Sequence, residues 1–189
     1  MAFEDYRQKP SVVVVYTGAG KGKTSAGLGL MCRALGTGWR VAFVQFIKDW
    51  EVGEHQFIKK IASLFKGQLT VHKGGRGFYH AGELSPAGIS DDEHRQAAGA
   101  AFEFAYQAAI SGEYQLVICD EINNALYHGL IKRSDFTKLI KRRAAGTSLC
   151  LTGRNFPESL LPLVDIATNM TKLRHHFDEK FLANQGIDY

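Results

Sequence analysis

The residues best suited to chemistry form a glycine- and lysine-rich run, TGAGKGKTS, at positions 17–25. Its second half matches the GK[ST] core of a phosphate-binding P-loop. The main-chain N–H groups of such a loop, with the N-terminus of the helix that follows, form a cradle for anions. Lys23 would add a positive charge, and the hydroxyl of Thr24 is an oxygen ligand suited to Mg²⁺. The run predicts a binding site for the triphosphate of ATP, with contacts from Gly18, Ala19, Gly20, Lys21, Gly22, Lys23, Thr24 and Ser25.

The loop departs from the usual GxxxxGK[ST] pattern at one position, where Thr17 stands in place of glycine. The alternative interpretation is a glycine-rich turn that binds no ligand. We disfavour it because Lys21 and Lys23 would then concentrate positive charge at a helix N-terminus, where cations are unfavourable.

Three further polar motifs follow apolar runs. Asp120 and Glu121 come directly after LVIC at 116–119, and either could supply the carboxylate that completes a nucleotide-bound Mg²⁺. The alternative for this pair is a capping or solvated role. Arg154 could bind a phosphate in bidentate fashion, or could form a surface salt bridge instead. Lys48 is a weaker candidate phosphate ligand of the same type.

These residues need a scaffold in which strands alternate with helices, and the chain shows that alternation. It predicts an α/β fold with a mostly parallel sheet, helices on both faces, and ligands at the carboxyl ends of the strands. A long, glycine-rich loop is expected at residues 73–89. The predicted strands are residues 11–16, 41–47, 68–72, 116–119 and 149–152, and the predicted helices are about 22–36, 52–65, 90–112 and 134–143.

Length and composition indicate one globular domain over residues 1–189. The net charge of +4 is too small to mark a nucleic-acid-binding protein. No segment has the apolar length of a membrane span or a signal peptide. Three cysteines without paired spacing, Cys32, Cys119 and Cys150, are expected to be core thiols in a reducing compartment, the cytoplasm.

Over nearly its whole length the sequence resembles the P-loop class of ATP:corrinoid adenosyltransferases, also called cob(I)alamin adenosyltransferases. The family likewise has threonine at the first loop position, so Thr17 agrees with it. The segments that carry the resemblance are TGAGKGKTSA at 17–26, VQFIK at 44–48, Gly77 with Phe78, LVICDEINNAL at 116–126, LTGRN at 151–155 and HHFDEKFLANQGIDY at 175–189.

The resemblance implies a RecA-like fold and transfer of the 5′-deoxyadenosyl group of ATP to the cobalt of a reduced corrinoid, in cobalamin synthesis or salvage. Co(I) would attack C5′, and triphosphate would leave. Lys23, Mg²⁺ and the loop amides would then stabilise charge on the departing triphosphate. The family binds the nucleotide in reverse along the loop, acts as a homodimer, and receives a corrinoid reduced by an electron donor, which we expect to be a protein.

The same resemblance assigns the loop at 73–89 to the corrinoid side, between an N-terminal arm at 1–10 and a C-terminal tail at 174–189. The family reads roughly GFTW in this loop, and its aromatic side chains displace the lower axial ligand of the corrinoid. Phe78 would keep that catalytic, apolar role, whereas His80 stands where tryptophan is common and is expected to contact the corrinoid.

Two other functions stay open from the residues. A P-loop ATPase or small-molecule kinase uses the same loop and carboxylates for phosphoryl transfer. A nucleotide-dependent corrinoid-binding protein without turnover would be consistent with His80 in place of tryptophan.

Overall fold

Six strands and five α-helices alternate along the chain in a computed structural model that describes residues 5–48, 51–77, 79 and 88–189. The strands are β1 (Val13–Thr17), β2 (Val41–Gln45), β3 (Leu69–Lys73), β4 (Leu116–Asp120), β5 (Ser148–Thr152) and β6 (Ile166–Asn169). The helices are α1 (Lys23–Gly36), α2 (Gly53–Ile61), α3 (Asp91–Ile110), α4 (Ile122–Tyr127) and α5 (Arg133–Arg142). Two 3₁₀ helices cover Glu158–Leu163 and His176–Glu179.

The described strands form one parallel sheet in the order β3-β2-β4-β5-β1-β6. Every residue of β2, β4 and β5 is buried. Strands covered on both faces read as continuous apolar runs, which is why the sequence revealed them. The predicted α/β fold of the P-loop type, with a parallel sheet and helices on both faces, is confirmed.

The core has two parts, one on each face of the sheet. Because side chains alternate along a strand, Phe43 of β2 packs with Met31 and Leu35 of α1, while Val44 packs on the opposite face. Helix α2 joins the α1 side, and helices α3, α4 and α5 cover the other side. Phe136 on α5 is fully buried there.

The longest described helix, α3, has 20 residues and begins with a capping box. The Ser90 hydroxyl accepts the Glu93 main-chain N–H at 3.3 Å, and the Glu93 carboxylate accepts the Ser90 N–H at 2.9 Å. Ala98 and Ala105 lie on its buried face. Of the helices the structure describes, none is long and apolar enough to cross a bilayer.

Three expectations from the sequence were incomplete or wrong. Helix α4 was not predicted because it has only six residues. Strand β6 was missed because all four of its residues are exposed at the sheet edge, so no buried apolar run marks it. Cys119 and Cys150 are core thiols, but Cys32 is exposed, because it lies beside the buried stripe of α1 and not on it.

Candidate nucleotide site

The P-loop connects β1 to α1 at the carboxyl edge of the sheet. Gly18 and Gly22 both have φ of 101°, a left-handed conformation that residues with a Cβ rarely adopt. A Cβ on Gly18 would also lie 2.2 Å from Oδ1 of Asn169, and a Cβ on Gly20 would lie 2.7 Å from the carbonyl oxygen of Met170. Glycine is therefore required here both by backbone conformation and by the close approach of the chain at the end of β6.

Lys23 is buried, with 8% of its surface exposed, and its side chain points into the loop. Its Nζ donates hydrogen bonds to the carbonyl oxygens of Gly18 at 2.9 Å and Gly20 at 2.6 Å. Burial lowers the pKa of this ammonium group, and the charge of Glu121 opposes that shift. The loop thus holds a desolvated positive charge, which an anionic ligand would stabilise.

Thr17, the residue that departs from the usual P-loop pattern, ties the loop to two other segments. Its hydroxyl accepts the main-chain N–H of Phe156 at 3.1 Å. Its carbonyl oxygen accepts the N–H of Met170 at 2.8 Å. A glycine could make only the second of these bonds, so threonine gives the start of the loop an additional anchor.

Asp120, at the end of β4, is completely buried and is held at both carboxylate oxygens. Its Oδ1 accepts the Thr152 hydroxyl at 2.7 Å, and its Oδ2 accepts the Gln45 side-chain amide at 3.0 Å. Because these partners come from the neighbouring strands β5 and β2, the sheet itself fixes the carboxylate at the ligand edge.

Glu121 follows in a left-handed backbone conformation, with φ of 64°, which is uncommon for a residue with a side chain. Its N–H donates to the Thr152 hydroxyl at 3.0 Å. Burial, followed by the negative charge of Asp120, raises the pKa of Glu121 to about 7, although Lys48 and Lys23 act in the opposite direction. A cation beside this carboxylate pair would relieve their mutual repulsion.

The two basic side chains proposed for phosphate binding are placed differently. Lys48 Nζ lies 2.6 Å from the Glu54 carboxylate and 3.9 Å from Asp120. Burial lowers its pKa, but the attraction of Asp120 and Glu54 outweighs burial, so the pKa is raised overall. Arg154 is exposed just beyond β5 and interacts electrostatically with both Lys23 and Glu121. Arg154 is thus the better placed of the two to meet a ligand.

The oxygen donors of this edge fit Mg²⁺. Thr24 is half-buried in the first turn of α1, which follows strand β1. Asp120 ends strand β4, which β5 separates from β1 in the sheet, and Glu121 follows directly. Over the described part of the chain, no group of three or more His, Cys, Asp or Glu side chains could hold a metal ion by itself. A metal here would therefore need phosphate and water oxygens, which is the usual situation for Mg²⁺.

The C-terminal tail contacts the P-loop, which no local sequence pattern indicated. Asp188 forms an ion pair with Lys21 at 2.9 Å. The Asp188 carboxylate also accepts the N–H of Asn184, and this bond, with Lys21, lowers the Asp188 pKa to about 2. Lys21, predicted to touch the nucleotide, thus pairs with the tail in this structure.

Other residues of the site were also missed: Gln45, Thr152, Asn169 and Met170. A signal was present for Thr152, because it is a polar residue that ends an apolar strand, where ligands of a parallel sheet bind. Gln45 is a polar residue inside the apolar run at 41–47, and only the structure shows that β2 ends there. No such signal marked Asn169 and Met170, since Asn169 ends the exposed strand β6 and Met170 follows it.

The predicted corrinoid contacts Phe78 and His80 lie outside the described residues. Tyr79, between them, is described, and its ring centroid lies 4.9 Å from that of His94 and 5.5 Å from that of His128. Tyr79 therefore packs against His94 of α3 and against His128, which follows α4.

Comparison with known proteins decides among the chemistries that a P-loop permits. Residues 9–189 match the family described as ATP:corrinoid adenosyltransferase BtuR/CobO/CobP. This chain belongs to the ATP:corrinoid adenosyltransferase family. The membership confirms the predicted family and enzyme class, a transferase, and does not favour the ATPase or kinase alternative.

Individual members of the ATP:corrinoid adenosyltransferase family match this chain over most of its length. The corrinoid adenosyltransferase of Pseudomonas aeruginosa is 31% identical over 184 residues, which cover 97% of this chain and 86% of that protein. A corrinoid adenosyltransferase of Sinorhizobium sp is 32% identical over 182 residues, 94% of this chain and 80% of that protein. The Escherichia coli K12 protein of the same name is 28% identical over 183 residues, 94% of this chain and 85% of that protein.

Proposed function

We propose that this chain transfers the 5′-deoxyadenosyl group of ATP to Co(I) of a reduced corrinoid, with release of triphosphate, in cobalamin biosynthesis or salvage. The cobalt supplies the electron pair for the new Co–C5′ bond. The C5′–O bond breaks, and its electron pair leaves with the triphosphate. The observation that carries the proposal is the buried ammonium of Lys23 inside the P-loop of a chain from this family.

The P-loop would serve as a site for the leaving group. The N–H groups of residues 18–25, apart from that of Gly20, which donates to Met170, would meet the phosphate oxygens together with the Lys23 ammonium. Arg154 would approach from the end of β5. Since the charge on triphosphate grows as the C5′–O bond breaks, these groups would bind the transition state more tightly than the ground state. A nucleotide placed in reverse along the loop would present C5′ to the corrinoid.

Magnesium would be held by Thr24 and by Asp120 or Glu121. When bound, the ion would neutralise part of the triphosphate charge. Asp120 is already fixed by Thr152 and Gln45, whereas the raised pKa of Glu121 makes it the carboxylate that gains most from a nearby cation.

On the corrinoid side, Phe78 would provide the apolar surface that displaces the lower axial ligand, and His80 would contact the corrinoid in place of the usual tryptophan. Excluding water matters here because Co(I) is a strong reductant. We include as further parts of this proposal a single domain with a corrinoid-side loop at 73–89, a homodimer, an electron donor protein and a cytoplasmic location.

The product of the reaction tests the proposal. The protein is mixed with ATP, Mg²⁺ and chemically reduced cobalamin, and the products are separated chromatographically. We expect adenosylcobalamin and triphosphate in equal amounts. ADP and phosphate as the main products would point to phosphoryl transfer, and tight corrinoid binding without product would point to a binding protein.

A further inference from the structure

A chain of hydrogen bonds links the start of α2 to Asp120 through two buried side chains. The main-chain N–H of Val52 lies 3.3 Å from Nδ1 of His55. His55 Nε2 contacts the Oε1 atom of Gln45, and Gln45 Nε2 donates to Oδ2 of Asp120 at 3.0 Å. Gln45 and His55 are 1% and 9% exposed, so water does not compete freely for these bonds.

The first hydrogen bond of this series fixes which atom donates and which accepts in each of the following bonds. A main-chain N–H can only donate, so Nδ1 of His55 must accept, and the neutral ring then carries its proton on Nε2. Nε2 therefore donates to the Gln45 carbonyl oxygen, which turns the Gln45 NH₂ group towards Asp120. Burial lowers the pKa of His55 and favours the same neutral ring.

On this geometry we propose that His55 is a positioning residue for the magnesium carboxylate: acting through Gln45, it fixes the orientation of Asp120. The inference rests on the proposed function, because it takes Asp120 as part of the Mg²⁺ site. It assigns α2 a role in the nucleotide site although none of its residues belongs to the predicted phosphate-binding set.

The contacts of the two Asp120 carboxylate oxygens show why the orientation of this side chain depends on Gln45. Its Oδ1 already accepts the Thr152 hydroxyl, and that hydroxyl accepts the Glu121 N–H. Without Gln45, the side-chain partner that Oδ2 would keep among the described residues is Lys48, at 3.9 Å. The carboxylate would then turn towards the ammonium of Lys48, which already binds Glu54, and away from a metal ion.

The test is to measure the affinity for ATP with Mg²⁺ and, separately, with EDTA, by calorimetry on the full chain. His55→Leu removes the donor and is expected to weaken Mg²⁺–ATP binding about 10-fold or more, the range for groups that orient a metal ligand. Binding of metal-free ATP should be unchanged. His55→Gln keeps an N–H donor for Gln45 and should recover most of the Mg²⁺ effect.

Gln45→Leu removes the middle link of the same hydrogen-bond series, on strand β2. It is used in place of His55→Leu if thermal unfolding shows that His55→Leu does not fold. Equal weakening of both forms of ATP, or no change in either, would overturn the inference and leave His55 a structural residue. Wild-type protein that binds ATP equally with and without Mg²⁺ would refute the magnesium site and this inference together. Adenosylcobalamin formation would still test the proposed reaction, so the two failures are distinguishable.

Discussion

The main-chain amide of Gly20, in the middle of the P-loop, donates a 2.7 Å hydrogen bond to the carbonyl oxygen of Met170. One N–H of the phosphate cradle is therefore engaged by the segment that follows β6. The remaining loop amides and Lys23 are the groups that would meet phosphate first. This contact makes the conformation of the loop depend on the edge strand β6.

The close approach of β6 to the loop leads to a stability prediction. Gly18→Ala should destabilise the fold by about 1–3 kcal/mol, since the new Cβ would overlap Asn169 and the residue has a left-handed φ. Gly29→Ala is the matched control, because Gly29 lies within α1 with open space around it. There alanine should stabilise by up to about 1 kcal/mol. Chemical denaturation of both variants measures the difference, and equal effects would contradict the predicted clash.

Lys23→Ala should abolish both ATP binding and turnover, because it removes the buried positive charge that lies inside the loop and donates to the carbonyl oxygens of Gly18 and Gly20. Calorimetry detects binding, and the product assay detects turnover. Lys141→Ala is the control, since Lys141 is exposed at the end of α5 and should retain both activities. ATP binding of wild-type strength in Lys23→Ala would exclude the P-loop as the phosphate site.

Glu121→Gln should change the dependence of stability on pH. The folded protein holds the Glu121 proton up to about pH 7, whereas the unfolded chain releases it near its ordinary pKa of 4.5. Between these values the wild-type fold loses stability as pH rises, because it binds more protons than the unfolded chain. Glutamine has no proton to lose and stays neutral, so the variant should gain in melting temperature over the wild type from pH 5 to pH 8.

These melting curves are recorded without nucleotide or Mg²⁺, because a cation would itself stabilise the ionised Glu121. A constant difference in melting temperature across the range would show that Glu121 titrates normally. The same variant should bind Mg²⁺–ATP less tightly than the wild type, which would make it a more stable but less active protein.

Arg154→Ala should raise the KM for ATP about 10-fold, the effect expected for losing one charge-assisted hydrogen bond to phosphate. Arg154→Lys should recover part of the loss, since lysine keeps the charge but not the bidentate geometry. Arg142→Ala, at the exposed end of α5, should leave the KM unchanged. Steady-state kinetics would argue against a phosphate contact if Arg154→Ala behaved like this control.

The sequence predicted those parts of the site that are formed by residues close together in the sequence. The P-loop could be found because TGAGKGKTS joins a buried strand to a helix within a few residues. Asp120 and Glu121 could be found because they end an apolar run. The central strands could be found because burial on both faces demands continuous apolar residues.

Strand β6 and helix α4 lacked such local signals. Strand β6 lies at the exposed sheet edge, where burial does not restrict residue type, and α4 is too short for helical periodicity to show. The predicted burial of Cys32 was wrong for a related reason. An apolar stretch of sequence does not reveal which side of a helix faces the sheet.

By itself the sequence determined the family, the phosphate loop and the order of strands β1 to β5 with helices α1, α2, α3 and α5, because each of these depends on local patterns and motifs. Only the tertiary structure decided which distant residues complete the site. Strand β6, which lies late in the chain, pairs with β1 and brings Met170 to Gly20. The C-terminal tail brings Asp188 to Lys21. Strands β2 and β5 place Gln45 and Thr152 on opposite oxygens of Asp120. These contacts follow from strand order and packing, which short-range spacing does not encode.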